Sequence, residues 1–324
     1  MFKILITGGA GYIGTALTSL ALKKGFKVIA VDNLKHSNTQ LIKKFIKNKN
    51  YVFSKCDIND LYKFEEILKK EKANIIVHLA GIVGDPASKL QKKLTRLTNV
   101  VSSKKIFKLS EKYNVDKFIF SSTCSNYGIV DSKSLANENT KLKPLSLYAE
   151  TKVDFENFMI KQSKNINMQL IIMRFATVFG VAERMRFDLT INQFTRDLHL
   201  KKKLNIFGQN TWRPYCHVSD VARAIIYSID SKKKINIFNV GNSKQNYSKK
   251  FVLDAIGKFI PLKNLTYSKQ EISDKRDYKV NFNKIKKELK FKTKYNLNFG
   301  IKEIISFLKK NKKKNFYNNI YSNT

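Results

Sequence analysis

The sequence predicts an α/β fold, a doubly wound parallel sheet with a smaller, interleaved C-terminal lobe. Three observations carry that expectation. An apolar run at residues 3–6 breaks into Gly8, Gly11 and Gly14 and passes into a helical stretch at 12–24. Apolar runs and helical stretches then alternate as far as residue 174. The apolar runs lack polar alternation, as strands covered on both faces do.

The first element is the most informative. A strand that feeds a glycine-rich turn at a helix start is a phosphate-binding device. Missing β-carbons let the backbone approach a pyrophosphate, and the first helical turn offers unpaired N–H groups. A second strand, 27–31, ends at Asp32, which lies 18 residues beyond Gly14. A carboxylate at that distance meets the ribose of an adenosine. The acid favours NAD over its 2′-phosphorylated form, and the segment after Asp32 holds no Arg to receive a 2′-phosphate.

The remaining elements follow in order. Strands are expected at 51–54, 75–79, 117–122 and 169–174, and helices at 61–70, 94–113 and 147–164. After Gly180 the rhythm loosens. A helix is expected near 190–198, then a helix at 218–228 and a strand at 235–240 that return to the first lobe, and a last helix at 299–310. This divides the chain into a dinucleotide-binding domain at 1–176, with 218–242 returning to it, and a substrate lobe at 177–217 and 243–312. Residues 313–324 read as a frayed tail.

Composition narrows the function. The 324 residues are 43% hydrophobic, enough for a sizeable core, and no run approaches membrane length. The first strand starts at once, so no signal peptide is expected. Cys56, Cys124 and Cys216 are scattered and form no metal-binding spacing. A cytoplasmic, reducing setting without disulfides or metal is the expectation. The net charge of +37 comes almost wholly from Lys, since only eight of the 62 basic residues are Arg. Lys spread over every helix, among many Asn and Ile, reads as solvated faces rather than a nucleic-acid surface.

Tyr148 and Lys152 lie four residues apart on one predicted helix and so share a face. A neighbouring ammonium and the positive ring of an oxidised nicotinamide favour phenolate. That makes a general base able to take a hydroxyl proton while hydride leaves the same carbon.

With these residues in place, the chain resembles the extended short-chain dehydrogenase/reductases, in the nucleotide-sugar epimerase/dehydratase branch, of UDP-glucose 4-epimerase type. The resemblance covers about residues 1–310 and rests on several segments: Thr7-Gly-Gly-Ala-Gly-Tyr-Ile-Gly14, Asp57-Ile58, His78-Leu-Ala-Gly81, Ser121-Ser-Thr-Cys-Ser-Asn-Tyr-Gly128, Tyr148-x-x-x-Lys152, Arg174-Phe-Ala-Thr-Val-Phe-Gly180, Arg213-Pro-Tyr-Cys-His-Val-Ser-Asp220 and Arg276-Asp-Tyr-Lys-Val-Asn-Phe282.

The resemblance implies a Rossmann domain. It places Gly8, Gly11, Tyr12, Ile13, Gly14, Asp32 and Asn33 around NAD, with Asp57 and Ile58 against the adenine. Leu79, Ala80 and Gly81 would line the diphosphate, Asn99 would sit nearby, and Lys152 would also bond the nicotinamide ribose. Thr123, 25 residues before Tyr148, would bind the reacting sugar oxygen. Asn126 and Thr177 would face the sugar. Arg213 and Arg276 match positions that grip the nucleotide diphosphate, and Arg184 and Arg186 fit the loop beside them; planar guanidinium groups suit that task. His78 and His217 read as structural.

Departures from the family pattern shape the functional reading. In 4,6-dehydratases the Ser/Thr is followed by an Asp-Glu pair; here Cys124 and Ser125 follow, which argues against dehydration. The expected function is an NAD-dependent enzyme acting on a nucleotide-diphosphate sugar through a 4-keto intermediate, foremost a C4 epimerase. Alternatives are a 4-dehydrogenase or ketosugar reductase, and, in another class, an idle NAD-binding regulator. The resemblance also implies a homodimer, formed through the helices at 94–113 and 147–164.

Overall fold

The computed structural model describes residues 2–36, 39–131, 133–268 and 276–323. Met1, Thr324 and residues 269–275 of the expected substrate lobe lie outside the described residues.

The strands run in chain order as β1 (Lys3–Thr7), β2 (Lys27–Asp32), β3 (Tyr51–Lys55), β4 (Ile75–His78), β5 (Lys117–Thr123), β6 (Gln169–Phe175), β7 (Thr177–Phe179), β8 (Leu204–Ile206), β9 (Trp212–His217), β10 (Ile235–Val240), β11 (Asn246–Ser248) and β12 (Leu265–Tyr267). Among the described residues, seven of them form one parallel sheet in the order β10-β6-β5-β4-β1-β2-β3. Period-two geometry sends neighbours to opposite faces. Ile4, Ile6, Val28 and Ala30 pack on one side, and Leu5, Ile29, Val31 and Phe118 on the other. Both faces are therefore apolar, which explains the runs without alternation. Each such side chain contributes roughly 1.5–3 kcal/mol on burial.

The strand order reverses between β1 and β4. Crossovers leave β1 on one side and β4 on the other, so a crevice opens beyond their C-terminal ends. β10 joins the sheet by pairing with β6, with Ile235 opposite Leu170. Outside this sheet, β11, β9 and β7 form a small sheet, and β12 pairs with β8. They pack with the helices Thr190–His199, Lys249–Gly257 and Leu297–Lys310 around a separate core that includes Phe187, Ile191, Val252 and Ile304.

Two expectations are corrected. The helix expected at 94–113 is not uniform: Lys92–Arg96 passes into a π-helical turn, Leu97–Ser102, before α-helix resumes at Ser103–Lys112. The tail expected to fray is packed instead. Phe316 is buried, its ring lies 5.6 Å from that of Phe187, and the Phe187 N–H donates to the Tyr321 carbonyl at 2.8 Å. Aromatic side chains spaced among Asn and Lys give this segment an apolar anchor that its overall polarity conceals.

Candidate active site

A cleft of about 930 Å³ opens over the C-terminal ends of β1 and β4 and runs on between the main sheet and the smaller core. The glycine turn forms its floor. Gly8 has φ +72°, and a β-carbon there would lie 2.9 Å from the Ala80 nitrogen. A β-carbon on Gly14 would lie 2.1 Å from the Gly8 carbonyl oxygen. Both positions therefore exclude any larger residue, and Gly11, Tyr12 and Ile13 complete this wall. The Tyr12 hydroxyl is turned away to donate to the Gly180 carbonyl at 2.6 Å.

Asp32 closes the turn from the side. Its carboxylate accepts the Ala10 N–H at 3.1 Å and the Leu34 N–H at 2.8 Å. Burial raises its pKa, and these two bonds work against that rise. Asn33 donates to Asp57 Oδ2 at 2.8 Å, which joins the ends of β2 and β3, and Ile58 lies beside them on the cleft. Leu79, Ala80 and Gly81 continue from β4 along the opposite wall. The Ala80 N–H donates to Thr7 Oγ1 at 3.2 Å.

Asn99 and Lys152 stand behind Gly81 rather than on the cleft surface. The Asn99 side chain accepts the Ile82 N–H at 2.8 Å and donates to the Ile82 carbonyl at 3.0 Å. A β-carbon on Gly81 would lie 2.9 Å from Asn99 Oδ1 and 3.9 Å from Lys152 Nζ, so the glycine is a window in the wall. This floor and wall fit a dinucleotide: close backbone approach at Gly8 and Gly81, with an acid at the end of β2.

Tyr148 is the second residue of the helix Leu147–Gln162, whose start Ser146 caps by accepting the Ala149 N–H at 3.3 Å. Tyr148 lines the cleft with Thr123, the last residue of β5. Thr123 Oγ1 shares a hydrogen bond with Ser125 Oγ at 2.9 Å and accepts the Ser125 N–H. Lys152 Nζ donates to the Ser121 carbonyl at 2.8 Å and lies 5.8 Å from the centre of the Tyr148 ring. Burial pushes the Lys152 ammonium down to about 7, with Glu156 opposing. The Tyr148 phenol moves up, through burial and then Asp85, while Arg186 and Arg276 pull the other way. The net direction is upward, and the cations that act against it are Arg186 and Arg276.

The structure separates the sugar-side residues expected from sequence. Thr177, Arg184, Arg186, Arg213 and Arg276 line the cleft. Asn126 does not: its side chain is fully buried and donates to Glu156 Oε1 at 3.0 Å and Ser122 Oγ at 3.1 Å. A buried carboxylate outcompetes the cleft for that amide. Each arginine has an intramolecular partner. Arg186 pairs with Asp188 at 2.6 Å and Arg276 with Asp85 at 2.6 Å, and Arg213 donates to the Trp212 carbonyl at 2.7 Å. Cys124 is wholly buried, its thiol toward the Arg174 carbonyl at 3.2 Å, and burial pushes its pKa well up.

Sequence reasoning missed Asp85, Ser125 as a lining residue, and the segment from Phe316 to Asn323. Gly84-Asp85-Pro86 carries a helix-start signal that marks Asp85. His78, read as structural, is fully buried between Thr7 Oγ1 at 2.8 Å and Ser103 Oγ at 2.9 Å. Among the described residues, no His, Cys, Asp and Glu group could hold a metal ion, and no helix is long and apolar enough to cross a membrane.

Comparison with known proteins agrees with this geometry. The UDP-glucuronate 4-epimerase of Thermodesulfobacterium geofontis is 27% identical over 319 residues, covering 95% of this chain and 96% of that one. The UDP-glucose 4-epimerase of Rhizobium meliloti is 25% identical over 315 residues, covering 91% and 93%. The crystal structure of UDP-glucose 4-epimerase from Thermotoga maritima with UDP-glucose superposes with a TM-score of 0.87 at 25% identity, over 95% of this chain and 99% of that one. The family model described as NAD dependent epimerase/dehydratase matches residues 4–241. A glycine floor that excludes side chains, an acid at the end of β2 and this match over most of the sequence lead to one conclusion: the chain belongs to the NAD dependent epimerase/dehydratase family, and is an enzyme with NAD as its cofactor.

Proposed function

We propose that the enzyme is a nucleotide-sugar C4 epimerase that works through a 4-keto sugar. The observation that carries this reading is Thr123 and Tyr148 on one cleft, Lys152 a helical turn behind Tyr148, and no carboxylate at positions 124 and 125. Tyr148 takes the proton of the C4 hydroxyl, and Thr123, oriented by Ser125, holds the same oxygen. Arg186 and Arg276 act in favour of the phenolate that Tyr148 must form, against burial and Asp85. Bound NAD supplies the hydride acceptor, the later hydride donor and a positive ring near the phenol.

The turn from Gly8 to Gly14 meets the diphosphate of the cofactor through its backbone, and Asp32, Asn33, Asp57 and Ile58 hold the adenosine. Leu79, Ala80 and Gly81 line that diphosphate from the other side, and Lys152 reaches the nicotinamide ribose through the window at Gly81, where Asn99 fixes the Ile82 backbone. Arg213 and Arg276 grip the diphosphate of the sugar nucleotide, and Thr177 faces the sugar. Dehydration is not provided for, because Cys124 points inward and Ser125 is no acid. Leu94, Leu97, Val101 and Ile160, each 37–43% exposed on the paired helices, support a homodimer through that face.

A sugar nucleotide carrying deuterium at C4 tests the reading. An epimerase interconverts both C4 epimers, keeps the label in the sugar and needs no added NAD. Deuterium recovered in the cofactor with a single sugar stereoisomer would replace the epimerase with a 4-dehydrogenase that uses the same residues.

A further inference from the structure

Arg184 sits where three distant parts of the chain converge. Its Nε donates to the His36 carbonyl at 3.0 Å, Nη1 to Asn323 Oδ1 at 2.7 Å and Nη2 to the Ser322 carbonyl at 2.8 Å. His36 lies four residues after Asp32, on the same cleft. Further bonds anchor the C-terminal side of this junction. The Asn323 N–H donates to Asp188 Oδ2 at 3.2 Å, the Phe187 N–H to the Tyr321 carbonyl, and Tyr317 stacks under the Arg196 guanidinium at 4.1 Å. Lys44 and Glu183 pair on the outer side.

Arg184 is 4% exposed, yet its three bonds go to neutral oxygens. Burial and the nearby Arg186 push it down to about 10, and Asp32 and Asp188 act against that. Arg184 therefore serves as a tie between the loop after Asp32 and the end of the chain. Asp32 acts on it electrostatically and His36 bonds to it, so Arg184 stands on the side of the cleft formed by the end of β2 and the loop that follows.

We propose that Arg184 and the segment from Phe316 to Asn323 belong to the NAD site rather than the sugar-nucleotide site, where they close the adenosine end of the cleft and hold the dinucleotide between turnovers. The closure is made of backbone and side-chain hydrogen bonds across two ends of the chain, so the cofactor leaves only when Asn323 and Ser322 part from Arg184. This rests on NAD as cofactor and not on the fate of the keto sugar.

Release of NADH from the loaded enzyme, chased with excess NAD and followed by its fluorescence, tests the proposal. Removal of residues 316–324, or Arg184→Met, should raise the release rate about tenfold or more while association changes by less than about threefold. An unchanged release rate for Arg184→Met, with a higher KM for the sugar nucleotide, would return Arg184 to the substrate and overturn the proposal. Because Phe316 is part of the core, the shortened chain can fail to fold. The intact protein then decides: NADH should slow hydrogen exchange at the Phe187, Tyr321 and Asn323 amides, and exchange there that is indifferent to NADH overturns the proposal.

Discussion

Glu156 receives Arg174 in a fork: Nε lies 3.1 Å from Oε2 and Nη2 2.7 Å from the same oxygen, with Nε also 3.2 Å from Oε1. Both side chains are buried, and the carboxylate also takes Ser122 Oγ and the Asn126 amide. Ser122 and Asn126 flank Thr123 in sequence, and Glu156 is one turn beyond Lys152 on the helix of Tyr148. One carboxylate thus ties the strand end that carries the reacting hydroxyl to the helix that carries the base.

Removing one partner should be expensive. Glu156→Gln leaves Arg174 buried without its counter-charge, and chemical denaturation should show a loss of about 3–5 kcal/mol. A variant within about 1 kcal/mol of the wild type would mean that neutral partners, such as the Glu138 carbonyl that Arg174 already reaches at 3.2 Å, suffice for the guanidinium.

Tyr148→Phe keeps the ring and removes the phenol. NAD should still bind, while turnover falls by about two orders of magnitude or more, as expected for a lost acid/base group. Near-normal turnover in steady-state assays would exclude Tyr148 as the base.

The place proposed for Asp32, beside the adenosine ribose, makes it the residue that discriminates between the two nicotinamide cofactors. Calorimetry on cofactor-free protein should give tighter binding of NAD than of NADP, and Asp32→Ala should narrow the gap. Tighter NADP binding by the unaltered protein would contradict this assignment.

His78 contributes to the acid side of stability. Burial pushes it down to about 3, from an ordinary value near 6.5, with Lys152 adding to the shift. Between those two values the unfolded chain binds a proton that the folded chain refuses. Stability contributed by the neutral ring is therefore present above about pH 6.5 and falls as pH drops toward 3, by up to roughly 1.4 kcal/mol per unit. Unfolding measured from pH 7 to 4 should show this slope, and His78→Gln should flatten it.

Much of the cofactor side was legible because it is local. The spacing from Gly8 to Asp32 lies within one strand–turn–helix–strand unit, and the backbone geometry of that unit follows from the glycines themselves. The helix of Tyr148 and Lys152 was likewise legible from spacing. The position of Asn126 was not, because its neighbour Glu156 is 30 residues away and the competition between a carboxylate and a cleft leaves no local trace. The tail was misread for a similar reason: Phe316 finds Phe187 across more than a hundred residues. The strands β7 and β11 hold only three residues each, and β9 carries Arg213, Pro214 and His217 among its six, so none of them shows an apolar run.

The widened turn at Leu97–Ser102 has a mechanical consequence. A π turn holds one residue more than an α turn, so the helix on either side is out of phase by about 100°. Deleting a single residue there would produce a more regular helix and a worse protein. The straightened rod would swing Asn99 off Ile82, while Ile106 and Phe107 on the far side would still be fixed in the core. The irregularity is a spacer, and it lets one rod meet two surfaces whose bearings do not match.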